Sequence, residues 1–465
     1  MKSISREQIL KRIRQENPWW EEPHEVSDIY HEWHPRSYLA PFLALAQQHE
    51  VRRAIVLMGP RRVGKTVLIH HAIMRLLKDK VPPMTVFYVS IDHPLYNGLG
   101  LEELLLLFAE STKVDVLKSH AYVFFDEIQY LQNWEVHLKS LVDSYPNLNV
   151  VASGSAAAAL RLKSTESGAG RFTNFLLPPL TFQEYLMLLR LEDLIGLPNK
   201  EGELYRARNI DELNKQFLHY LNFGGYPEVI FSQRIQEDPA RFIKADIIDK
   251  VLLRDLPSLY GIQDIRELNS LFTTLAFNTA NEVSLEALSK GSGVAKNTIK
   301  KYIEYLDAAF LIRVVHRVDR NARHFKRANS FKVYLTNPSI RAALFSPIGE
   351  EDPAIGELVE TATFAQWFHS DASLHYARWK QGEVDIVHLG TQQKPDWAVE
   401  TKWSDRIVDH PEELRGLTSF CATNQLKSAL VTTKTRREQK VIDEIQVNFV
   451  PASEYCYTVG RNLVG

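Results

Sequence analysis

The sequence predicts an α/β protein of several domains, with a parallel sheet early in the chain and a second α/β part at its end. Its 465 residues suffice for about three domains, and a 45% apolar share suits cores of that size. Apolar runs at residues 54–58, 121–125 and 149–152 predict buried strands, with a helical pattern after the first. Alternating stretches at residues 383–389 and 397–403 predict the later sheet.

The overall charge excludes two classes of polymer-binding protein. The chain has 55 Lys and Arg against 57 Asp and Glu, a net charge of −2. This near-neutral charge excludes a protein that coats nucleic acid with a uniformly basic surface. It also excludes a chain dominated by an acidic, solvated tail. Any binding to a charged polymer must use a local patch.

Cysteine content and hydropathy predict the compartment. The two cysteines, Cys421 and Cys456, cannot build a disulfide framework or a cysteine-rich zinc site, which fits a reducing environment. The N-terminus has no apolar signal core, and no apolar run reaches the roughly 18 residues that span a bilayer. We expect a soluble cytoplasmic protein.

The strand at 54–58 leads into GPRRVGKT and then a helical stretch. Gly59 and Gly64 allow the loop backbone to turn its N–H groups towards phosphates, and the helix adds its positive end. Lys65 is expected to reach the β- and γ-phosphates, and Thr66 to give its hydroxyl to Mg²⁺. A chance glycine-rich turn is the alternative, but strand, loop, Lys-Thr pair and helix all agree. The residues predicted to bind nucleotide are Gly59, Pro60, Arg61, Arg62, Val63, Gly64, Lys65, Thr66, Val67 and Ser153.

A second strand, AYVFFDE at 121–127, ends in two acids. Asp126 is expected to coordinate Mg²⁺ through water, and Glu127 to polarise the attacking water, so the pair predicts hydrolysis. The third strand ends in Ser153-Gly154-Ser155. Ser153 is either a sensor of the γ-phosphate or part of a turn that caps the next helix.

These motifs, taken in order, resemble those of the AAA+ prokaryotic ATPases that carry a C-terminal winged helix and a PD-(D/E)XK nuclease-like domain. The first motifs are GPRRVGKT, VFFDEIQ, SGS, Gly170-Arg171 and LLPPLTFQEYL, and the later ones are GGYPEV, EVDIV and VETKW. The resemblance implies a P-loop ATPase core that binds ATP or ADP with Mg²⁺ and forms a homo-oligomer such as a hexamer. It also implies an arginine that completes a site: Arg171 is the candidate, with Arg161 behind it. Either could instead be a surface arginine paired with a local acid.

The region between the two α/β parts reads as helical and then as a winged helix. A helix at 246–255 precedes a Ser-capped helix at 283–289, a turn at 291–293, a helix at 297–306, and extended stretches at 310–315 and 331–335. Trp19 and Trp20 are expected to anchor the N-terminal arm to the ATPase core. The predicted domains are an arm (1–50), the AAA+ ATPase (51–205), a helical linker or lid (206–275), the winged helix (276–340) and a restriction-endonuclease-like α/β domain (341–465).

The winged-helix region carries a local excess of positive charge. From Lys296 to Lys332 there are ten Lys and Arg against three acids, or +7, which leaves −9 for the remainder. Double-stranded or branched DNA is the expected partner, bound mainly through its phosphates. A winged helix that contacts protein is the alternative. The candidate DNA contacts are Lys296, Lys300 and Lys301 on the recognition helix, and Arg317, Arg320, Arg323, Lys326 and Arg327 on the wing.

The two late strands predict a hairpin with an acid–acid–lysine pattern. Symmetric closure sets Asp385 opposite Glu400, and opposed carboxylates repel unless a cation lies between them. Both acids are expected to hold Mg²⁺ or Mn²⁺, while Lys402 orients the water that attacks a phosphodiester. Glu360 matches the helix acid of the resembled family and could complete the site. The alternative is a retained nuclease fold whose charged residues form an ordinary ion cluster.

Three functions are compatible with the sequence. The first is an ATP-driven machine on DNA, with a metal-dependent nuclease-like C-terminal domain. The second is a nucleotide-gated signalling or defence switch whose C-terminal domains bind a protein. The third is a nuclease held inactive by its ATPase.

Overall fold

The computed structural model describes residues 5–48, 50–155, 170–198, 204–262, 264–324, 330–368, 370 and 372–463. The chain divides into two compact units, Met1–Leu177 and Pro178–Gly465. The five domain boundaries drawn from the sequence stay predictions. Among the described residues, no helix is long and apolar enough to cross a membrane.

The described part of the first unit contains a five-stranded sheet in the order β2-β3-β4-β1-β5, with all neighbours parallel. This confirms the predicted α/β class and the parallel sheet, and it is consistent with a P-loop AAA+ core. Parallel strands buried on both faces need near-continuous apolar sequence, as AIVLM in β1 provides. The strands are β1 (Ala54–Met58), β2 (Val86–Ser90), β3 (Ala121–Asp126), β4 (Leu148–Gly154) and β5 (Phe172–Leu176).

Helices surround this sheet, and a capping box starts the first of them. The Ser5 side chain accepts from the Gln8 amide, and the Gln8 side chain accepts from the Ser5 amide. The helices are α1 (Arg6–Glu16), α2 (Asp28–His31), α3 (Leu39–Ala46), α4 (Lys65–Lys78), α5 (Leu101–Thr112) and α6 (Trp134–Ser144), with short 3₁₀ turns at Pro18–Trp20, Pro83–Thr85, Pro94–Tyr96 and Ile128–Tyr130.

The N-terminal arm covers the outer edge of β2, the last strand of this sheet. Asn17 Nδ2 donates to the Tyr88 carbonyl at 2.8 Å, and the Tyr88 amide donates to Asn17 Oδ1 at 2.7 Å. The indoles of Trp19 and Trp20 both donate to the Val86 carbonyl, at 3.0 and 2.9 Å. The tryptophans are buried, as expected of an anchor, and the arm satisfies an edge that would otherwise be open to pairing.

The second unit begins with helices. A turn at Gly224-Gly225 separates the helix Ile210–Phe223 from the helix Pro227–Ile230. A Cβ on Gly225 would lie 2.5 Å from Ser339 Oγ, so a larger residue would displace that side chain. The stretch predicted as a regular helix at 246–255 is instead π-helical, over Ala240–Asp249 and Val251–Asp255. The α-helices are α7 (Phe182–Leu188), α8 (Ile210–Phe223), α9 (Pro227–Ile230), α10 (Gln233–Glu237), α11 (Leu256–Tyr260) and α12 (Ile265–Phe277); a 3₁₀ turn, Glu192–Leu194, precedes the small ribbon of β6 (Ile195–Gly196) and β7 (Arg206–Ala207).

The segment predicted as a winged helix has the element order helix, strand, helix, helix, strand, strand. Ser284 caps the second helix as expected, accepting from the Ala287 amide at 3.0 Å. The first two strands of this segment both pair with the last one. After α12 come β8 (Glu282–Ser284), α13 (Leu285–Ser292), α14 (Lys296–Ala308), β9 (Ile312–Val318) and β10 (Ser330–Leu335). This order supports the winged helix, which stays a prediction.

A nine-stranded sheet joins this segment to the C-terminal part within the described residues, in the order β15-β16-β14-β13-β12-β11-β9-β10-β8. The junction is a short parallel pairing of Tyr376 and Ala377 with Arg317 and Val318. The later elements are α15 (Ser339–Leu344), α16 (Ile355–Ala365), β11 (Leu374–Trp379), β12 (Gly382–Leu389), β13 (Pro395–Glu400), α17 (Arg406–Asp409), a 3₁₀ turn (Pro411–Leu414), α18 (Arg415–Thr423), β14 (Ser428–Thr433), β15 (Glu438–Ile442), β16 (Ile445–Pro451) and α19 (Ala452–Asn462).

The arm is expected to stabilise the first unit strongly. Trp19→Ala should remove a fully buried indole and destabilise the unit by about 3–5 kcal/mol. Hydrogen exchange of the β2 amides measures this locally, even if the two units unfold separately. Trp33→Ala is the control because that side chain is 42% exposed, whereas Trp19 is 0% exposed. Equal loss of protection in the two variants would contradict the anchoring role.

Candidate functional site

The phosphate loop of the first unit connects β1 to α4, as predicted. A Cβ on Gly59 would lie 2.1 Å from the Leu177 carbonyl oxygen, and Gly64 has a φ of 93°. Both positions therefore require glycine. The loop leads directly into the first turn of α4, whose N–H groups have no partner within the helix, so this end of the helix can bind an anion.

Lys65 is the first residue of α4, and its side chain is buried. Its ammonium donates to the carbonyls of Gly59 and Pro60, at 3.1 and 2.8 Å. Burial lowers the pKa of Lys65, while the nearby charges of Glu127 and Asp126 oppose that shift. The ammonium therefore lies on the loop that the sequence assigns to phosphates.

Asp126 ends β3 and accepts four hydrogen bonds. Its Oδ2 accepts from Thr66 Oγ1 at 2.7 Å and from the Tyr88 hydroxyl at 3.0 Å. Its Oδ1 accepts from the Glu127 amide at 3.1 Å and from Ser153 Oγ. The structure thus brings the predicted residues Thr66, Asp126 and Ser153 together, and it adds Tyr88 from the neighbouring strand β2.

Glu127 follows Asp126 in a left-handed backbone conformation, with a φ of 53°. Its carboxylate accepts from the side chain of Gln129, whose own oxygen accepts from the Ser155 amide at 3.2 Å. Burial raises the pKa of Glu127, and the positive charge of Lys65 opposes the shift. A half-buried carboxylate whose pKa is raised is suited to accept a proton from water.

The oxygen atoms at this site fit Mg²⁺. Mg²⁺ is usually bound by one or two carboxylates together with substrate phosphates, and it keeps several waters. Asp126 and Thr66 can supply these few protein ligands. Within the described residues there is no group of three or more His, Cys, Asp or Glu side chains arranged to enclose a metal ion.

The remaining loop residues lie around this centre. Arg61 is half-buried and Arg62 exposed, while Pro60 and Val63 are buried and Val67 is half-buried. The Val63 carbonyl accepts from Arg36 Nη1 at 2.9 Å. The sequence reasoning missed Arg36 because it lies in the N-terminal arm, outside any motif.

Arg171, the candidate for the arginine that completes a site in a homo-oligomer, lies just before β5. Its Nε donates to Asp143 Oδ1 at 2.6 Å on the surface, and its carbonyl accepts from the Ala54 amide at 2.9 Å. Parallel pairing sets it at the start of β1, while the phosphate loop follows the other end, about 15 Å away at roughly 3.3 Å per residue. Arg171 is therefore too far from the phosphate loop of its own chain for direct contact. Arg161 lies outside the described residues.

In the second unit, the structure brings together Glu360, Asp385, Glu400 and Lys402. The hairpin of β12 and β13 pairs Ile386 with Val399, so Asp385 and Glu400 are the next facing positions, as predicted. Lys402 Nζ lies 2.8 Å from Glu400 Oε1 and 3.9 Å from Asp385 Oδ2. The Thr401 amide also donates to Asp385 Oδ2, at 2.9 Å.

Two residues that sequence reasoning missed complete this set. Lys332 on β10 extends its buried ammonium to Glu360 and Asp385, and also to Glu383 on β12. Lys332 was counted in the basic excess of the predicted winged-helix region, but it is buried and contributes nothing to an exposed basic surface. We name the acid–lysine cluster after its members: Lys332, Glu360, Glu383, Asp385, Glu400 and Lys402.

Two ammonium groups partly offset the four acids of the acid–lysine cluster. Burial and the charge of Asp385 raise the pKa of Glu360 to about 7 and that of Glu400 to about 8. Although burial alone would raise the pKa of Asp385, the ammonium groups of Lys332 and Lys402 lower it. Since ammonium groups already bind these carboxylates, the residues as placed do not fit the predicted Mg²⁺ or Mn²⁺.

The predicted DNA contacts are only partly exposed. Lys296, Lys300 and Lys301 are exposed on α14, with Glu286 at 3.8 Å from Lys296 and Glu304 at 4.0 Å from Lys300. Arg317 is half-buried and donates to the Arg378 carbonyl at 3.0 Å. Arg320 and Arg323 are exposed beyond β9, and Lys326 and Arg327 lie outside the described residues.

Residues 51–186 match the protein family described as an AAA domain. Residues 214–352 match a second family, a domain of unknown function designated DUF8612. The first match covers the phosphate loop, Asp126, Glu127 and Ser153. It supports ATP binding with Mg²⁺ by this part of the chain.

Two relatives that are similar over most of this chain are uncharacterized proteins. An uncharacterized protein of Haemophilus influenzae is 23% identical over 405 residues, which are 85% of this chain and 92% of that protein. The uncharacterized protein MJ1544 of Methanocaldococcus jannaschii is 25% identical over 350 residues, 73% of each chain.

Solved structures give weak overall similarity. The Aeropyrum pernix ORC1 protein in complex with DNA has a TM-score of 0.29 at 15% identity, covering 69% of this chain and 93% of that one. The S. cerevisiae Hsp104:casein complex has a TM-score of 0.31 at 14% identity, covering 65% and 52%. Because these TM-scores are low, the two structures add nothing to the AAA domain match.

We predict that Arg36 supports nucleotide binding through the loop. Arg36→Ala removes a charged donor from the buried Val63 carbonyl, a loss of about 1.5–3 kcal/mol. We expect the Kd for ATP to rise about tenfold or more, measured by titration with a fluorescent nucleotide. Arg14→Ala, at an exposed position on α1, is the control and should leave the Kd unchanged. An unaltered Kd in folded Arg36→Ala would refute the role.

Proposed function

We propose that the chain is a Mg²⁺-dependent ATPase whose nucleotide cycle serves an action on double-stranded or branched DNA. One observation carries the ATPase part: Asp126 binds the hydroxyls of Thr66 and Ser153 at the same sheet edge as the phosphate loop. The match of residues 51–186 to an AAA domain supports it.

Each residue of this site has a task that its position explains. Lys65 and the first N–H groups of α4 bind the phosphates. They also stabilise the negative charge that develops on the leaving group during hydrolysis. Glu127 accepts a proton from the attacking water, and Gln129 holds its carboxylate. Bound Mg²⁺ supplies further neutralisation of the phosphate oxygens, with Thr66 and Asp126 as its protein partners. Ser153 is positioned to respond to the γ-phosphate.

A homo-oligomer is part of this proposal. Arg171 is exposed and separated from its own phosphate loop by the length of a strand, so it can serve only another subunit's site. Its ion pair with Asp143 is on the surface and is worth little, which leaves the guanidinium available for exchange.

The DNA part rests on the exposed lysines of α14 and the exposed arginines that follow β9. Lys296 and Lys300 are one helical turn apart and share a face, and their partners Glu286 and Glu304 are exposed, so these ion pairs are weak. Phosphates can replace such partners at little cost. This proposal does not include metal-dependent cleavage of DNA, because the ammonium groups of Lys332 and Lys402 bind the carboxylates of the acid–lysine cluster.

A nucleotide-gated switch with a protein partner is the second candidate. The interleaving of Glu286 and Glu304 with the lysines favours it, since a mixed-charge face suits a protein surface as well as a phosphate backbone. Salt dependence separates the two, because counterion release makes DNA binding steeply sensitive to salt.

Two substitutions separate binding from turnover at the ATP site. Lys65→Ala should abolish nucleotide binding, because it removes the charge on the phosphates. Glu127→Gln should keep binding and lower the steady-state rate by about 100-fold or more, because the proton acceptor is lost. Calorimetric titration and phosphate release measure the two effects. Normal turnover in Glu127→Gln would show that another group activates the water.

DNA should bind through α14 and stimulate ATP hydrolysis. Changing Lys296, Lys300 and Lys301 together to alanine should flatten the dependence of log K on log salt by about one unit per lost phosphate contact. Fluorescence anisotropy with duplex and branched DNA measures the slope. Alanine at Lys11, Lys118 and Lys139, which are exposed in the first unit, is the charge-matched control. If wild type shows neither binding at low salt nor faster turnover with DNA, the DNA function is excluded.

A further inference from the structure

The acid–lysine cluster has an ammonium group where its sequence pattern predicts a metal ion. Lys332 Nζ lies 2.9 Å from Glu360 Oε1, 2.9 Å from Glu383 Oε1 and 3.3 Å from Asp385 Oδ1. An ammonium group has three N–H donors, and these three carboxylates can use all of them. The Tyr376 ring adds its face to the same nitrogen, with its centroid 5.5 Å away.

The two lysines of the cluster are not equivalent. Lys402 is 39% exposed at its side chain and binds mainly Glu400, whereas Lys332 is 4% exposed and bridges three acids from two elements. Lys402 is the lysine that the sequence pattern predicts. Lys332 is additional, and it is the cation that lies between the helix acid Glu360 and the hairpin acid Asp385.

The backbone of Lys332 is fixed in place by the sheet. Strand β10 lies between β9 and β8, and Lys332 faces Val315 on one side and Glu282 on the other. The side chain therefore starts from a strand with partners on both edges. Glu360 is held as well, since Oε1 also accepts from the Tyr334 hydroxyl at 2.7 Å.

We propose that Lys332 is the resident cation of the acid–lysine cluster and that it excludes divalent metal ions from it. The folded chain then has no metal-dependent centre there, although it retains the acids of one. Without Lys332, Glu360, Asp385 and Glu400 would face the single ammonium group of Lys402, while Glu383 would keep the Arg378 guanidinium at 3.5 Å. This excess of negative charge would favour a divalent ion. The inference concerns residues 178–465 alone, so it stands or fails independently of the proposed ATPase.

The test measures Mn²⁺ binding to the full-length protein without nucleotide, by electron paramagnetic resonance. Lys332→Met should bind one Mn²⁺ more than wild type, with an affinity at least about tenfold higher than any binding of wild type at the cluster. Adding Asp385→Asn to Lys332→Met should remove that ion. Lys402→Met is the matched control: it also deletes a lysine of the cluster but keeps Lys332, so it should gain no ion.

Thermal unfolding provides a second readout if Lys332→Met is poorly folded. Mn²⁺ should raise the Tm of Lys332→Met and of Lys332→Gln, but not that of wild type or of Lys332→Met with Asp385→Asn, because an ion bound only by the folded state stabilises it. Two results would overturn the proposal. One is Asp385-dependent Mn²⁺ binding by wild type; the other is failure of both Lys332 variants to gain an ion or to be stabilised by Mn²⁺.

Discussion

Both units are organised around carboxylates that are buried, and a buried carboxylate is stable only when donors or positive charges surround it. In the first unit, neutral hydroxyls from three different segments converge on Asp126. In the second unit, two ammonium groups bind four acids. Hydroxyls can rotate to other acceptors when a cation arrives, whereas an ammonium group is itself a cation. The two sites therefore differ in their capacity to admit a metal ion.

The parts of the fold that the sequence predicts correctly are those encoded locally. GPRRVGKT carries the glycines that its loop needs, and the DE pair ends an apolar run that becomes β3. The facing of Asp385 and Glu400 follows from alternation and a short turn. In each case the signal lies within about sixteen residues of the chain, so spacing alone fixes which side chains share a face.

Contacts between distant segments were not predictable in this way. Tyr88 and Arg36 reach the nucleotide site from a neighbouring strand and from the arm, and neither belongs to a motif. Lys332 lies 53 residues before Asp385. By composition it belongs to a basic stretch, and only the pairing of β9 with β11 brings that stretch beside the hairpin. The π-helical turns also escaped prediction, because apolar spacing does not distinguish them from a regular helix.

The nine-stranded sheet contains strands from both sides of residue 340, where the sequence motifs suggest a domain boundary. A chain divided there would expose the unpaired edges of β9 and β11 and would leave Lys332 and its acids in separate fragments. Exposed strand edges invite pairing with other chains, so each fragment would tend to aggregate. The segments predicted as a winged helix and as a nuclease-like domain thus share one sheet. An exchange of either segment between relatives would have to preserve both the strand junction and the lysine–acid pairing.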